Sequence, residues 1–583
     1  MGYLFGYMKP YFKMAIFAPL FMLLEVAMDV TQPKMMALII NQGVEPMNFA
    51  KILQYGVWMI VILLIGLAAG VLCNAFASVV SQNVGADLRQ DLFSRVQTFT
   101  FRELDRFSTG TLITRMTNDV TQVQNFVQSA QQMMVRAPGL ALGGLIMALT
   151  LNLSLGWIVG LAMITLSVFL FFLLRFSYPL FSQVQARLDD VNVVVQENLA
   201  GMRAIKAFVR RTFEMMRFGQ VNERYTNIAI KAARVMALNM PVLTLIMNSS
   251  ILIALWFGGH EVWQHTMPIG NFVAYLNYVT QILSSLLMFS VILTNIAQAK
   301  VSADRIQAVL QTEGSENVVA DEATDATLFG AIEADHLSFS YGENIDHELV
   351  LRDLSFRIEP GEQVAIIGST GSGKSSFLQL LPRLYEATRG ELRVDGEAIS
   401  SIPLSLLRTK IGIVLQETIL FRGSIRDNIA FGRPDATMDD VTRAAKIAQA
   451  HDFITRLPDG YATRIGQRGV TLSGGQKQRL AIARALLVNP SILLFDGSTS
   501  ALDFKTEKLL LQALREEKQA VTTIMVAERI ASIRDKEKIL VLDDGQIVGE
   551  GTHEHLVATC SVYRDIYASQ MGISIEDIEK EVV

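Results

Sequence analysis

The sequence predicts a membrane bundle of six α-helices fused to an α/β domain built around a phosphate-binding loop. Three observations carry that reading. Of the 583 residues, 51% are hydrophobic and only 18% charged, and the mean hydropathy is +0.33. That is too apolar for a purely soluble protein and too long for one compact domain. The first half holds six long apolar stretches, near 15–41, 56–80, 132–152, 155–177, 240–262 and 272–297, each near or above the roughly 20 residues that cross a bilayer as helix. The second half contains Gly368-Ser369-Thr370-Gly371-Ser372-Gly373-Lys374-Ser375, the pattern G-x-x-x-x-G-K-[ST].

The six stretches come first in the chain. Trp157 to Leu174 carries no charge. An even number of spans leaves both ends on one side, and positive charge chooses the side. Arg89, Arg95, Arg102, Arg106 and Arg115 lie between the second and third spans. Arg187, Arg203, Lys206, Arg210, Arg211, Arg217, Arg224, Lys231 and Arg234 lie between the fourth and fifth, while the short opposite loops offer only Lys51. Both long segments and both termini are therefore expected in the cytoplasm. The segments read as membrane helices that run on past the bilayer and fold back. No removable signal peptide is expected at Met1 to Lys13. Cys73 and Cys560 are too few for a disulfide framework. The formal charge of −5 argues against a nucleic-acid partner.

Two acidic residues, Glu25 and Asp29, fall in the first span, on one face of the helix. A charge at that depth is costly and faces either a hydrated cavity or a partner. One reading is a cavity for a cationic substrate or a proton. The other is pairing with a neighbouring helix.

The chain then divides into 1–300 as membrane domain, 301–330 as linker, 331–570 as soluble α/β domain and 571–583 as acidic tail. Gln363 to Ile367 is a β-branched, apolar run that reads as a buried strand, and Ser376 to Leu381 reads as a helix. Between them, glycines let the backbone curl so that N–H groups converge on a polyphosphate, aided by the positive end of the helix. Lys374 is expected to reach the β- and γ-phosphates, and the Ser375 hydroxyl to hold Mg²⁺. Ile492 to Asp496 reads as a buried parallel strand ending in the carboxylate that completes the metal's shell. Tyr341, at the end of an alternating run, is placed to stack on a base. Leu472-Ser473-Gly474-Gly475-Gln476 opens a helical run, a second anion site at a helix N-terminus. Two such sites in one chain suggest that the second serves another chain.

These residues together resemble a half-transporter of the ATP-binding cassette (ABC) exporter family, and the likeness covers nearly the whole length. Gly368–Ser375 is similar to the Walker A loop, with Ser376 following it, and Ile492–Asp496 to the Walker B strand. Leu472–Gln476 matches the signature, Gln416 the Q-loop, Ser500-Ala501-Leu502-Asp503 the D-loop and Tyr341 the A-loop. Phe107 to Gly110, with Arg115, Asn118 and Asp119, resembles the first intracellular loop, and Glu197 to Phe208 the second. The resemblance implies ATP and Mg²⁺ as cofactors, with Ser375, Gln416 and Asp496 toward the metal. It also implies residence in the cytoplasmic membrane among its lipid, and a small hydrophobic substrate.

Two departures stand out against that pattern. The family follows the Walker B aspartate with a glutamate that polarises the attacking water; here Asp496 is followed by Gly497. The family's switch histidine is replaced by Glu528, in Ala527-Glu528-Arg529, and none of the seven histidines stands in for it. A softer departure is Gln467, where exporters of the family tend to have glutamate. Both hard departures strike the chain's own Walker site and spare its signature. The expected assembly is therefore a heterodimer with a second, non-identical half-transporter whose active site this signature completes. A regulatory ATP-binding membrane subunit and a lipid or peptide exporter are the competing readings.

Overall fold

The computed structural model describes residues 2–312, 328–342, 348–466, 472–498, 502–517 and 521–572. The acid-rich part of the expected linker, the acidic tail from residue 573, Gln467, Ser500 and Ala501 lie outside the described residues. The chain forms two compact units, Met1–Gln97 with Ser108–Thr312, and Thr98–Phe107 with Glu313–Val583.

The first unit is helical throughout. Each apolar stretch sits in a long helix: Phe12–Ile39, Phe49–Gln97, Met133–Leu151, Gly156–Ala200, Asn239–Trp263 and Ile269–Gln311. Five helical runs of the described residues are long and apolar enough to cross a membrane, and the sixth helix is 43 residues of unbroken α-helix. Phe49–Gln97 has 49 residues, which at the α-helical rise is roughly 70 Å, more than twice the hydrocarbon core of a bilayer. The last helix also outruns its apolar stretch. Ala299, Ala303, Ile306 and Val309 are buried at helical spacing, so residues 301–311 of the expected linker are helix packed on its neighbours.

Burial inside this unit follows small residues and tyrosines, while Leu63, Leu64 and Leu67 point outward. Pro33 lies inside the first helix and cannot donate to the carbonyl one turn before it. One residue on from that carbonyl, the buried Tyr278 hydroxyl donates to Val30 O at 2.7 Å, which ties this turn to the helix Ile269–Gln311.

The second unit contains a six-stranded sheet in the order β12-β11-β3-β10-β9-β6 and a four-stranded sheet in the order β2-β1-β4-β5. The strands are β1 (Ile332–Phe339), β2 (Leu351–Ile358), β3 (Gln363–Gly368), β4 (Arg389–Val394), β5 (Glu397–Ala398) and β6 (Ile411–Val414), with a small pair of β7 (Gly423–Ser424) and β8 (Arg464–Ile465), then β9 (Ile492–Asp496), β10 (Thr522–Val526), β11 (Lys538–Asp543) and β12 (Gln546–Gly551). In the larger sheet β11, β3, β10, β9 and β6 are parallel and β12 runs antiparallel. Parallel strands are covered on both faces, which is why β3 and β9 read as continuous apolar runs. Alternation then divides them between two cores: Ala365, Ile367, Leu493 and Phe495 face one, and Val364, Ile366, Ile492 and Leu494 face the other.

The short helix Phe101–Arg106 belongs to this unit. The Tyr385 hydroxyl donates to Asp105 at 2.6 Å, and Arg102 donates to the Gly342 carbonyl at 3.0 Å. The sequence reading assigned this stretch to a loop of the membrane half; its aromatic and charged contacts fasten it to the α/β unit.

Candidate nucleotide site

Register in the sheet brings the site together. Val526 of β10 lies level with Ile366 of β3 and Asp496 of β9. The loops that leave these three strands therefore emerge side by side at their carboxyl ends, where open α/β sheets bind ligands. They carry Gly368–Ser375, Gly497 and Glu528. Together with Gln416 they line a cleft of about 850 Å³, with Asp565, Ile566, Ser569 and Gln570 forming another wall.

The loop after β3 needs its glycines at two points. Gly373 has φ +97°, and a Cβ there would stand 2.5 Å from a Leu351 methyl. Gly368 packs so closely on the neighbouring strand that a Cβ would meet Leu542 O at 2.0 Å. Lys374 opens the helix Lys374–Leu380. Its Nζ donates to Gly368 O at 2.9 Å and Ser369 O at 2.6 Å, with Ser372 Oγ at 3.3 Å. Burial pulls the Lys374 ammonium below its usual range, and the nearby Glu528 and Asp496 charges oppose that shift. The Ser375 hydroxyl donates to Asp496 Oδ1 at 2.7 Å. Burial raises the Asp496 carboxyl, against that hydrogen bond and Lys374. A hydroxyl and a carboxylate oxygen held this close are the hard donors that Mg²⁺ takes.

Tyr341 is tied down beside this loop. Its hydroxyl meets Ser376 Oγ at 3.0 Å and Gln379 Oε1 at 3.3 Å, and its ring stands edge-on to Tyr385 at 5.1 Å. Ser376 lies in the cleft wall, whereas Tyr341 stands two residues beyond the end of β1 and is exposed.

At the two departures the geometry is explicit. Gly497 has φ +57°, and the nearest atom to a Cβ built on it is Gln416 Cγ at 3.8 Å. There is space for a side chain, but the backbone is left-handed, a region L-residues avoid. Glu528 is exposed into the cleft, within electrostatic reach of Lys374.

The signature lies elsewhere in the same unit. Ser473 caps the helix Gly474–Leu487 in a capping box with Gln476: Ser473 N–H donates to Gln476 Oε1 at 2.9 Å, and Gln476 N–H to Ser473 Oγ at 3.3 Å. Ser473 and Gly474 are exposed, and none of Leu472, Ser473, Gly474, Gly475 and Gln476 lines the cleft. Arg484, further along the helix, donates to Ile419 O at 3.0 Å and Asn428 O at 2.8 Å, which fixes the helix against the segment after Gln416. Asp503 accepts from Thr506 N–H at 3.1 Å and Thr506 Oγ1 at 2.7 Å, bonds that hold its carboxyl below the usual range.

Glu25 and Asp29 meet a single partner. Arg136, on Met133–Leu151, donates to Glu25 and, at 3.0 Å, to Asp29 Oδ2. The Glu25 carboxylate fills a notch at Gly70, where a Cβ would stand 2.8 Å from Oε2. This is the neighbouring-helix pairing. The sequence reading overlooked Arg136, although it is the lone charge in its apolar stretch. It also overlooked Asp565, Ser569 and Gln570. A helical run after the last strand was legible, but not the face that would meet the cleft.

The fold and the loop geometry define a membrane-spanning ATP-hydrolysing translocase. Residues 15–286 match the family of the ABC transporter transmembrane region and residues 351–500 the ABC transporter family. The chain belongs to the ABC transporter family. It is 42% identical over 568 residues to the ABC transporter ATP-binding protein YfiB of Bacillus subtilis (strain 168), covering 97% of this chain and 98% of that one. It is 32% identical over 507 residues to the ATP-dependent lipid A-core flippase of Syntrophus aciditrophicus (strain SB), covering 85% of this chain and 83% of that one. The solved structure of a bacterial Atm1-family ABC exporter with ATP bound superposes with a TM-score of 0.77 at 28% identity, covering 96% of this chain and 98% of that one.

Proposed function

We propose that this chain is the weak-site half of a heterodimeric ABC exporter that moves hydrophobic drugs or lipid-like compounds out across the cytoplasmic membrane. Both termini and the ATP-binding domain lie in the cytoplasm in this reading. The observation that carries it is an asymmetry within one chain. The cleft keeps its binding groups, Gly368–Ser376, Gln416 and Asp496, but has Gly497 and Glu528 where a water-activating base and a switch histidine would act. The signature, by contrast, is complete, capped and exposed. ATP binds to the cleft, with Ser375, Asp496 and Gln416 holding Mg²⁺ and Tyr341 against the base; the metal supplies charge neutralisation at the phosphates. Turnover occurs mainly at the partner's site, completed by Ser473 and Gly474, with Asp503 beside it. Bound ATP in the weak site then acts as a clamp.

A lipid-like cargo is favoured by the flippase relative and by the strongly apolar helices. Two measurements bear on the proposal. The purified chain alone should show little ATPase activity and gain it when co-purified with its cognate half-transporter. Robust hydrolysis by a verified homodimer would sink the heterodimer. Crosslinking of a photoreactive lipid or drug analogue to the membrane helices separates an exporter from a regulatory subunit, which would give no such adduct.

A further inference from the structure

The C-terminal helix Ser561–Met571 grips the loop that carries Glu528. The side-chain amide of Gln570 closes on that loop at two points. Ile530 N–H donates to Gln570 Oε1 at 2.8 Å, and Gln570 Nε2 donates to the Glu528 carbonyl at 2.7 Å. Both partners are main-chain atoms flanking Arg529, so the amide fixes the path of the backbone. Among the described residues the Glu528 carboxylate has no hydrogen bond of its own. The region its side chain can sweep is therefore set by the backbone it hangs from.

That backbone leaves β10 between β3 and β9. Val526 is level with Ile366, Ala527 N–H donates to Ile366 O at 3.0 Å, and Glu528 follows into the cleft wall that it shares with Gly368 and Lys374. Lys374, the lysine aimed at the β- and γ-phosphates, senses the Glu528 charge. A carboxylate fixed here opposes the terminal phosphate of ATP more than the nearer phosphates it shares with ADP, because Coulomb repulsion falls with distance.

We propose that Gln570 is a positioning residue that pins Glu528 at the γ-phosphate end of the cleft and thereby sets this site's discrimination between ATP and ADP. The C-terminal helix is thus part of the nucleotide sensor. The inference rests on the cleft being an ATP site and is independent of the heterodimer.

The test uses the full-length chain in lipid nanodiscs with Mg²⁺, and measures displacement of a fluorescent ATP analogue by ATP and by ADP. Gln570→Met keeps the side chain's length and removes both hydrogen bonds. It should raise the ratio of ATP to ADP affinity about tenfold while changing ADP affinity less than about twofold, the scale of partly relieving one unit-charge repulsion across a few ångströms at a protein-like dielectric. Gln570→Asn, one methylene too short to reach both atoms, should move the ratio the same way, and carries the test if the Met variant fails to assemble. In a Glu528→Gln background the effect of Gln570→Met should vanish, since the charge it positions is gone. An unchanged ratio overturns the proposal. So does the same shift in the Glu528→Gln background, or an equal loss of both nucleotides, which would mark a merely structural role. Absence of ATP binding by the wild-type chain would overturn the ATP-site reading along with it.

Discussion

Placing a base and a histidine in the cleft at Gly497 and Glu528 is the sharpest perturbation of the proposed weak site, and the structure gives the space and the backbone on which it turns. A Cβ at position 497 meets nothing closer than Gln416 Cγ at 3.8 Å, so the start of a side chain is accommodated there. The backbone there has φ +57°, which costs an L-residue about 1–2 kcal/mol. General-base assistance is worth about 100- to 10,000-fold in rate, or about 3–5 kcal/mol. That backbone cost falls on the stability of the fold and is common to ground and transition states, so the expected gain in rate stays on the order of 100- to 10,000-fold. Gly497→Glu alone should recover only part of this, because Glu528 still opposes the γ-phosphate. Gly497→Glu with Glu528→His should recover the full gain. The assay is single-turnover hydrolysis of radiolabelled ATP in the co-purified complex, with the partner's own water-activating carboxylate removed so that only this site reports. If the double variant binds ATP yet hydrolyses no faster than wild type, the departures are not what limits this site. If wild type already matches the partner's rate, the clamp reading fails.

Three further outcomes follow from particular contacts. Ser473→Ala removes a cap worth about 1 kcal/mol, yet should slow turnover of the complex by roughly 100- to 1,000-fold if the hydroxyl and helix end serve the partner's ATP; retained turnover with normal assembly would show that this surface serves no active site. Arg136→Ala leaves Glu25 and Asp29 without their cation. It should destabilise the membrane unit by about 2 kcal/mol, below the buried-pair range because the three side chains are partly exposed. Glu25→Gln with Asp29→Asn should rescue it, and a melting curve in detergent that does not move would show the triad to be inert. Burial lowers the Lys536 ammonium to about 8 from 10.5. A lysine depressed in the folded state weakens folding below that value, because the unfolded chain binds the proton more readily. Stability should therefore rise with pH between about 8 and 10.5, by roughly 3 kcal/mol at most. Lys536→Met should flatten that rise, and a wild-type melting temperature that stays level across the window contradicts it.

Local pattern made much of this molecule legible. Gly368–Ser375 announced its loop because only glycine tolerates the left-handed turn at Gly373 and the contact of Gly368 with β11. The six spans were legible because a bilayer demands length and apolarity, both one-dimensional properties. Ile492 to Asp496 was legible as a buried strand because a parallel strand covered on both faces carries no polar alternation. The end of the last helix was less so. Its buried positions beyond residue 300 are Ser302, Ala303, Ile306 and Val309, and the first two are small residues whose burial depends on neighbours rather than on their own hydrophobicity.

The sequence by itself therefore determined the class of the chain and the presence of its phosphate loop, and it singled out Leu472–Gln476, Gly497 and Glu528. Those are statements about residue type at fixed spacing. Only the tertiary structure decided what stands opposite what. Arg136 reaches Glu25 and Asp29 from more than 100 residues away in the chain. The pairing of β10 with β3 and β9 sets Glu528 beside Lys374, and the C-terminal helix brings Gln570 onto the loop between them. No periodicity encodes such meetings. They follow from strand order and register, which are settled when two apolar cores close on the opposite faces of one sheet.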